Sequence, residues 1–195
     1  GSNATYDNFW SKLKHLVDQM NENDFLVIYF SGHGLGGTTS HIGADALVLY
    51  DDFIMDVELE RWLRKTHLDR STNRITLILD ACYSGSFADG NMREPEEFRM
   101  EPKAFQKSGY TVLASSDRYT ESSQAGLGAD RKSYGLFTYF LVAGFLSGEA
   151  DQNGDGVYTV YELAKFIDTN VRKTGASQRA YCYPTNANTR IFQYR

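Results

Sequence analysis

Cysteine and proline are scarce in this sequence, which has 2 Cys and 3 Pro among its 195 residues. Two cysteines are too few for a disulfide framework, so each one has to be explained by chemistry or by packing. Positive charge is also limited, because 20 Lys and Arg stand against 25 Asp and Glu and leave a net charge of −5. This balance argues against a nucleic-acid-binding surface, since such surfaces are strongly basic.

Long apolar runs are absent as well. The longest runs, Phe25 to Phe30 and Ile75 to Leu79, are far shorter than the roughly 20 residues that a membrane-spanning helix needs. The N-terminus lacks a basic stretch followed by an apolar one, which is the pattern of a signal peptide. We therefore expect no membrane contact and a cytoplasmic protein, although a secreted protein whose signal peptide had been removed would show the same sequence.

The pattern along the chain predicts a single domain over residues 1–195, in which short apolar strands alternate with amphipathic helices. The predicted strands cover residues 25–30, 46–50, 75–79, 110–114 and 190–194. The predicted helices cover residues 6–20, 57–68, 136–146 and 160–172, with Asp56 as the cap of the second. Strands separated by helices predict an α/β fold with a largely parallel sheet.

His33 and Cys82 each follow a predicted buried strand and stand next to or near glycine. Active sites of parallel sheets gather at the carboxyl ends of the strands, so two neighbouring strands would bring these side chains together. A thiol attacks a carbonyl as the thiolate, and a nearby imidazole can accept its proton and later protonate the leaving amine. The N–H groups of Gly34 and Cys82 can point at the developing oxyanion. Taken alone, the pair would also fit a small buried cysteine and a loop histidine.

Two segments resemble the caspase and metacaspase family of cysteine peptidases. Residues Phe25–Gly34 (FLVIYFSGHG) are similar to the family's histidine strand, and Ile78–Gly85 (ILDACYSG) to its nucleophile strand. The distance of about 50 residues from histidine to cysteine also agrees with a family signature. Val112–Asp117 and Gly135–Phe140 resemble the small-subunit part of bacterial caspase-like domains.

The resemblance implies a three-layer caspase-like fold, with a mostly parallel central sheet between helices. Residues 1–108 would carry the histidine and cysteine, and residues 109–195 would resemble the small subunit. It further implies that His33 is the general base and acid, that Cys82 is the nucleophile, and that the N–H groups of Gly34 and Cys82 form the oxyanion hole. The chemistry of such a dyad requires no cofactor.

Asp80 stands two residues before the cysteine, where the resemblance implies a substrate pocket. A carboxylate buried there favours a cationic side chain and rejects an anionic one. Caspases, which cut after Asp, have Gln at this position, whereas metacaspases, which cut after Arg or Lys, have Asp. We therefore expect a peptide or protein substrate cleaved after Arg or Lys, with Ser115 and Asp117 as further substrate-binding residues. Alternatively, Asp80 only bonds neighbouring backbone N–H groups.

The chain departs from the family pattern in two places. Metacaspases usually have His where this chain has Tyr83, but that side chain is not catalytic. The family's sheet also begins with a strand and helix well upstream of the histidine strand, and here only about twenty residues precede Asp24. Without the missing strand a parallel strand would offer an unpaired edge. We expect an upstream fragment of the precursor to complete the sheet.

Residues 151–162 fit the pattern of a twelve-residue calcium loop. Oxygen ligands at its first, third and fifth positions, glycine at the sixth and Glu at the twelfth suit Ca²⁺. Thr159 and Glu162 also form a Thr-x-x-Glu capping box, so the same segment is explained without a metal. The expected calcium ligands are Asp151, Asn153, Asp155, Val157 and Glu162.

The leading hypothesis is a cysteine endopeptidase that cleaves after Arg or Lys through an acyl-enzyme and is influenced by calcium. Residues 88–108 are a candidate self-cleavage segment or a solvated loop; their basic residues are Arg93, Arg99, Lys103 and Lys107. The alternative is a catalytically idle caspase-like module that binds or assembles in response to calcium. A flavodoxin-type binding protein ranks last, because the glycine-rich stretch from Gly32 to Gly37 lacks a lysine and a following helix.

Overall fold

The computed structural model describes residues 2–21, 23–36, 45–65, 75–82, 84, 110–116, 124–125, 134–183 and 188–193. The helices in these ranges are α1 (Tyr6–Gln19), α2 (Asp56–Lys65), α3 (Leu136–Ser147) and α4 (Val160–Lys173). The strands are β1 (Leu26–Ser31), β2 (Gly34–Leu35), β3 (Ala46–Val48), β4 (Phe53–Met55), β5 (Ile75–Asp80), β6 (Tyr110–Ala114), β7 (Gln124–Ala125), β8 (Tyr134–Gly135), β9 (Val157–Thr159), β10 (Tyr181–Tyr183) and β11 (Arg190–Gln193). The predicted segment 88–108 and residues Tyr83 and Asp117 lie outside the described residues.

Four strands form the main sheet in the order β1-β5-β6-β10. Strand β5 pairs in parallel with both β1 and β6, and β10 pairs antiparallel to β6. Every residue of β5 is buried, as expected for a parallel strand covered on both faces. The predicted α/β fold with a mostly parallel central sheet is confirmed.

Side chains that alternate along β5 enter two separate cores, one on each face of the sheet. Leu77 and Leu79 pack in one core with Leu63 of α2 and Leu13 of α1. Ile78 lies in the other core, together with residues of α3 and α4. Helices therefore cover both faces, and the predicted three-layer arrangement is confirmed.

The strand predicted over residues 46–50 is shorter than expected and belongs to a different sheet. It ends at Val48 and lies between β2 and β4 in a small antiparallel sheet, joined to β4 by a turn in which the Leu49 N–H bonds the Asp52 carbonyl at 2.7 Å. The last predicted strand also leaves the main sheet and pairs with β9. Asp56 begins α2 instead of preceding it, yet its Oδ1 accepts the Val57 N–H at 2.7 Å.

Strand β1 is at one edge of the main sheet among the described strands. Leu26 is buried on one of its faces, whereas Val27 and Tyr29 on the other are 47% and 49% exposed. Helix α3 covers part of that face and is apolar almost all round, with Val142 and Leu146 left exposed. In the described ranges, α3 included, no helix is long and apolar enough to cross a membrane.

Candidate active site

The carboxyl ends of β1 and β5 lie side by side, and the two segments that leave them start in contact. Ser31 is the register partner of Asp80, and the N–H of Gly32 donates to the Asp80 carbonyl at 3.0 Å. The His33 carbonyl accepts the N–H of Val48 at 2.9 Å, so β3 also holds the histidine backbone. The predicted meeting of the two strand ends is therefore observed.

Gly34 rests directly on the backbone of Cys82. A Cβ added at Gly34 would overlap the carbonyl oxygen of Cys82 and lie 3.0 Å from its carbonyl carbon, so only glycine allows this approach. His33, next to Gly34, is exposed, and Cys82 is half-buried. The imidazole and the thiol thus belong to segments in contact at one rim of the sheet, open to a substrate.

Two serines at the end of β6 hold the turn that carries the cysteine, which we call the cysteine turn (Ala81, Cys82 and Ser84). The Ser115 hydroxyl accepts the Ala81 N–H at 3.0 Å and donates to the Ala81 carbonyl at 3.1 Å. The Ser116 hydroxyl donates to the same carbonyl at 2.9 Å. The N–H of Ser84 donates to the Ser116 hydroxyl at 3.3 Å, so the serines fix the turn on both sides of the thiol.

These contacts bear on the predicted role of Ser115. The residue is fully buried, and its hydroxyl holds the cysteine turn, so direct substrate binding by Ser115 stays a prediction. Sequence reasoning did not single out Ser84 or Ser116. The signal available in the sequence is the Ser-Ser pair that ends a buried strand next to the cysteine-bearing one.

The Asp80 carboxylate is buried, at 4% exposure, and it caps α3. Its Oδ2 accepts the backbone N–H of Thr138 at 3.2 Å and the Thr138 hydroxyl at 2.5 Å. Because that hydroxyl proton is directed to Asp80, the Tyr29 hydroxyl, 2.9 Å from Thr138 Oγ1, is the donor to Thr138. Gly135 packs on the carboxylate, where a Cβ would overlap Oδ2. Asp80 thus bonds a distant helix, and the alternative of bonds to neighbouring backbone N–H groups stays a prediction.

Comparison with protein families agrees with this geometry. Residues 1–91 match the family model described as metacaspase, peptidase C14 domain, and this stretch contains His33, Gly34, Asp80 and Cys82. Residues 1–91 are thus similar to the metacaspase domain. The peptidase C14 domain is a cysteine-type peptidase domain, so the predicted family resemblance is confirmed for the part of the chain that carries histidine and cysteine.

Other comparisons are more distant. No curated protein matches the chain. Among solved structures, caspase-1 from Spodoptera frugiperda is similar, with 16% sequence identity and a TM-score of 0.46. The match covers 83% of this chain and 57% of the caspase chain, so the chain spans little more than half the length of that caspase.

The calcium-loop pattern lies outside the metacaspase match and folds as a tight turn held by its own groups. The Asp151 carboxylate accepts N–H groups from Gly154 and Gly156 at 2.9 and 2.8 Å, and both glycines have positive φ. Glu162 forms the predicted capping box with Thr159, whose N–H it accepts at 3.0 Å. The described residues contain no group of three or more His, Cys, Asp or Glu side chains placed to hold a metal.

The two cysteines are both described, and they differ in setting. Neither forms a disulfide. Cys182 lies on β10 and packs against the core under α3 and α4, whereas Cys82 stands where the two strand ends meet. Cys182 is therefore explained by packing.

Proposed function

We propose that this chain is a cysteine endopeptidase in which His33 and Cys82 form the catalytic dyad. The observation that supports the proposal most is the contact of Gly34 with the Cys82 backbone, because it brings the two segments together at one end of the sheet. The match of residues 1–91 to the metacaspase domain supports the same assignment.

The dyad performs the reaction in two steps. The Cys82 thiol gives its proton to the His33 imidazole, and the thiolate sulfur bonds the carbonyl carbon of the scissile peptide. The carbon–nitrogen bond breaks as the imidazolium protonates the leaving amine, which leaves a thioester on Cys82. Water then loses a proton to His33 and attacks the thioester, releasing the carboxylic acid and the thiol.

The proposed oxyanion donors are the N–H groups of Gly34 and Cys82. The N–H of Cys82 shares a planar trans peptide with the Ala81 carbonyl. The Ser115 and Ser116 hydroxyls both bond that carbonyl and so fix the peptide plane. Because the C=O and N–H of a trans peptide point in opposite directions, the Cys82 N–H is directed away from the two serines. Preorganised donors of this kind stabilise a developing oxyanion without reorganisation.

Asp80 supports cleavage after Arg or Lys. Its buried carboxylate stands two residues before Cys82 in the sequence, and it accepts hydrogen bonds from two neutral groups, the N–H and the hydroxyl of Thr138. A charge-assisted bond to a guanidinium or ammonium contributes about 1.5–3 kcal/mol. An acidic side chain would meet repulsion at the same point.

Strand β1 stands at the edge of the main sheet among the described strands, and this position supports a second proposal about partners. An upstream segment of the same precursor would add a strand that pairs with the backbone of β1, and side chains of that strand would flank the exposed Val27 and Tyr29. Sheet edges left open invite pairing with other chains. Co-expression of the upstream segment as a separate chain should yield a complex that survives gel filtration; a complex that never forms would contradict this proposal.

Self-processing and calcium influence are the remaining parts of the proposal. The basic residues of the segment 88–108 match the preference expected from Asp80, and mass spectrometry of the aged protein would reveal cuts there. The oxygen donors of residues 151–162 suit Ca²⁺. Binding would require Glu162 to leave Thr159, so we expect weak affinity, which Asp151→Asn should abolish in a calcium titration.

The test is hydrolysis of fluorogenic peptides ending in Arg, Lys or Asp, measured with and without Ca²⁺. We expect release after Arg and Lys that disappears in Cys82→Ala and His33→Ala. The matched controls are Cys182→Ala and His15→Ala, since His15 is an exposed residue of α1. Cleavage only after Asp would overturn the role of Asp80, and no cleavage in a folded protein that binds Ca²⁺ would favour the idle module.

A further inference from the structure

A cleft of about 450 Å³ lies between α1 and α2, formed by residues that the proposed peptidase site does not use. Its volume falls in the range of about 300–1,000 Å³ that is typical of ligand sites. Aromatic rings of Tyr6, Trp10 and Trp62 line it together with basic side chains. The α1–α2 cleft is thus a second concave surface of the chain.

The aromatic residues contact one another and form the floor of the cleft. The Trp10 and Trp62 ring centroids are 5.6 Å apart at an interplanar angle of 49°. Phe9 and Tyr6 both pack edge-on against Trp10, at centroid distances of 5.1 and 6.0 Å. Because the two tryptophans already contact each other, they leave no slot in which a planar base would be sandwiched. They offer instead a broad apolar face.

The charge around this floor is predominantly positive. Lys14 from α1 and Arg61 and Lys65 from α2 line the cleft, in a chain whose net charge is −5. The one acidic lining residue, Glu58, accepts a hydrogen bond from the Tyr6 hydroxyl. The cleft therefore presents cations on both of its walls.

We propose that the α1–α2 cleft binds an acidic peptide segment of a partner protein, in which carboxylates flank an aromatic or aliphatic side chain. The apolar side chain covers the tryptophan floor, and the carboxylates bond the basic residues of the two walls. Lys14 lines the cleft from α1 and Lys65 lines it from α2, so carboxylates on both sides of a central apolar side chain each meet a cation while that side chain covers the tryptophans. A nucleotide is a poorer fit, because the contact between the two tryptophans leaves no slot for its base.

Tryptophan fluorescence tests the proposal directly, because the chain has only 2 Trp and both line the cleft. The probe is the peptide acetyl-Glu-Glu-Phe-Glu-Glu-amide, titrated into the full chain. The comparison probes are the same peptide with Lys in place of Glu, and ATP. We expect a saturable fluorescence change with the acidic peptide and none with the lysine peptide.

The charge-reversal variants Lys14→Glu and Lys65→Glu should each weaken binding of the acidic peptide by about tenfold. Lys12→Glu is the matched control, since Lys12 is exposed on α1 and does not line the cleft, and it should bind within about twofold of the parent chain. Circular dichroism confirms that each variant folds. Equal binding by all variants, binding of the lysine peptide, binding of ATP alone, or no response to any probe would each overturn the proposal. None of these outcomes depends on peptidase activity.

Discussion

The carboxylate of Asp80 caps the helix that begins beside Thr138, through two hydrogen bonds to that residue's backbone N–H and hydroxyl. One side chain thus joins the end of the cysteine strand to the first turn of α3. A carboxylate near a helix N-terminus is stabilised by the helix dipole. Asp80 therefore has a structural role as well as its proposed role in substrate binding.

Substitutions at these two positions separate the roles. Asp80→Asn removes the charge and keeps an oxygen for Thr138, so we expect kcat/KM for Arg peptides to fall by about 10- to 100-fold with a small change in Tm. Thr138→Val keeps the charge and removes the hydroxyl bond, so we expect a loss of about 0.5–2 kcal/mol in stability with the preference for Arg intact. Equal loss of preference in both variants would show that Asp80 acts only through the helix.

The serine contacts predict an order of stability. Ser115→Ala leaves the buried N–H of Ala81 without its acceptor, so we expect the free energy of unfolding to fall by about 1–3 kcal/mol. Ser116→Ala should cost less, because the Ala81 carbonyl keeps the bond from Ser115 and the Ser84 N–H that loses its acceptor makes the longer bond, 3.3 Å against 3.0 Å for Ala81. Urea unfolding measures both, with the exposed Ser177→Ala as the control. A larger loss in Ser116→Ala would contradict the assignment.

Gly34 and Gly32 form a matched pair for testing the close approach. A Cβ at Gly34 meets the Cys82 backbone, whereas a Cβ at Gly32 meets the ring of Phe30, which can move. We expect Gly34→Ala to lower peptide hydrolysis by about 100-fold, because displacement of a reacting group by about 1 Å has that effect. Gly32→Ala should retain most of the activity. Comparable activity in the two variants would contradict the contact.

Tyr6 predicts a dependence of stability on alkaline pH. Its hydrogen bond to Glu58, with burial and the Glu58 charge, raises its pKa from 10.0 to about 12. A folded-state pKa above the unfolded value gives stability that is complete below pH 10.0 and is lost as the pH rises through about 12. Tyr6→Phe should flatten this decline in urea unfolding measured across that interval, and the exposed Tyr50→Phe should not. An unchanged decline in Tyr6→Phe would be inconsistent with the bond.

Much of the fold follows from the apolar runs and the helical spacing of apolar residues in the sequence. The uninterrupted apolar run of β5 predicts burial on both faces, and the helical spacing around Leu13 predicts the face of α1 that packs on the sheet. Predicted boundaries are shifted where local signals are weak. Strand β4 has only three residues, which are too few to show an alternating pattern of apolar and polar side chains. The sequence also showed no sign that β3 would pair antiparallel with β4.

The sequence predicted at which strand ends His33 and Cys82 lie, but it did not predict the side-chain contacts of the site. Sequence spacing puts His33 and Cys82 after buried strands, and parallel pairing then brings them together. The bond from Asp80 to Thr138 and the serine contacts on Ala81 join residues 34 to 58 positions apart, and no local pattern encodes such pairs. The α1–α2 cleft was missed for the same reason, since it exists only once two helices pack side by side.

The proposed peptidase activity requires Cys82 as the nucleophile and His33 as its proton acceptor. Treatment of the protein with a peptidyl-arginine chloromethyl ketone, followed by peptide mass spectrometry to locate the adduct, tests both roles. We expect an adduct on Cys82 and not on Cys182, formed much more slowly in His33→Ala and at the usual rate in His15→Ala. Labelling of both cysteines at similar rates, or a rate on Cys82 that does not depend on His33, would contradict that proposal.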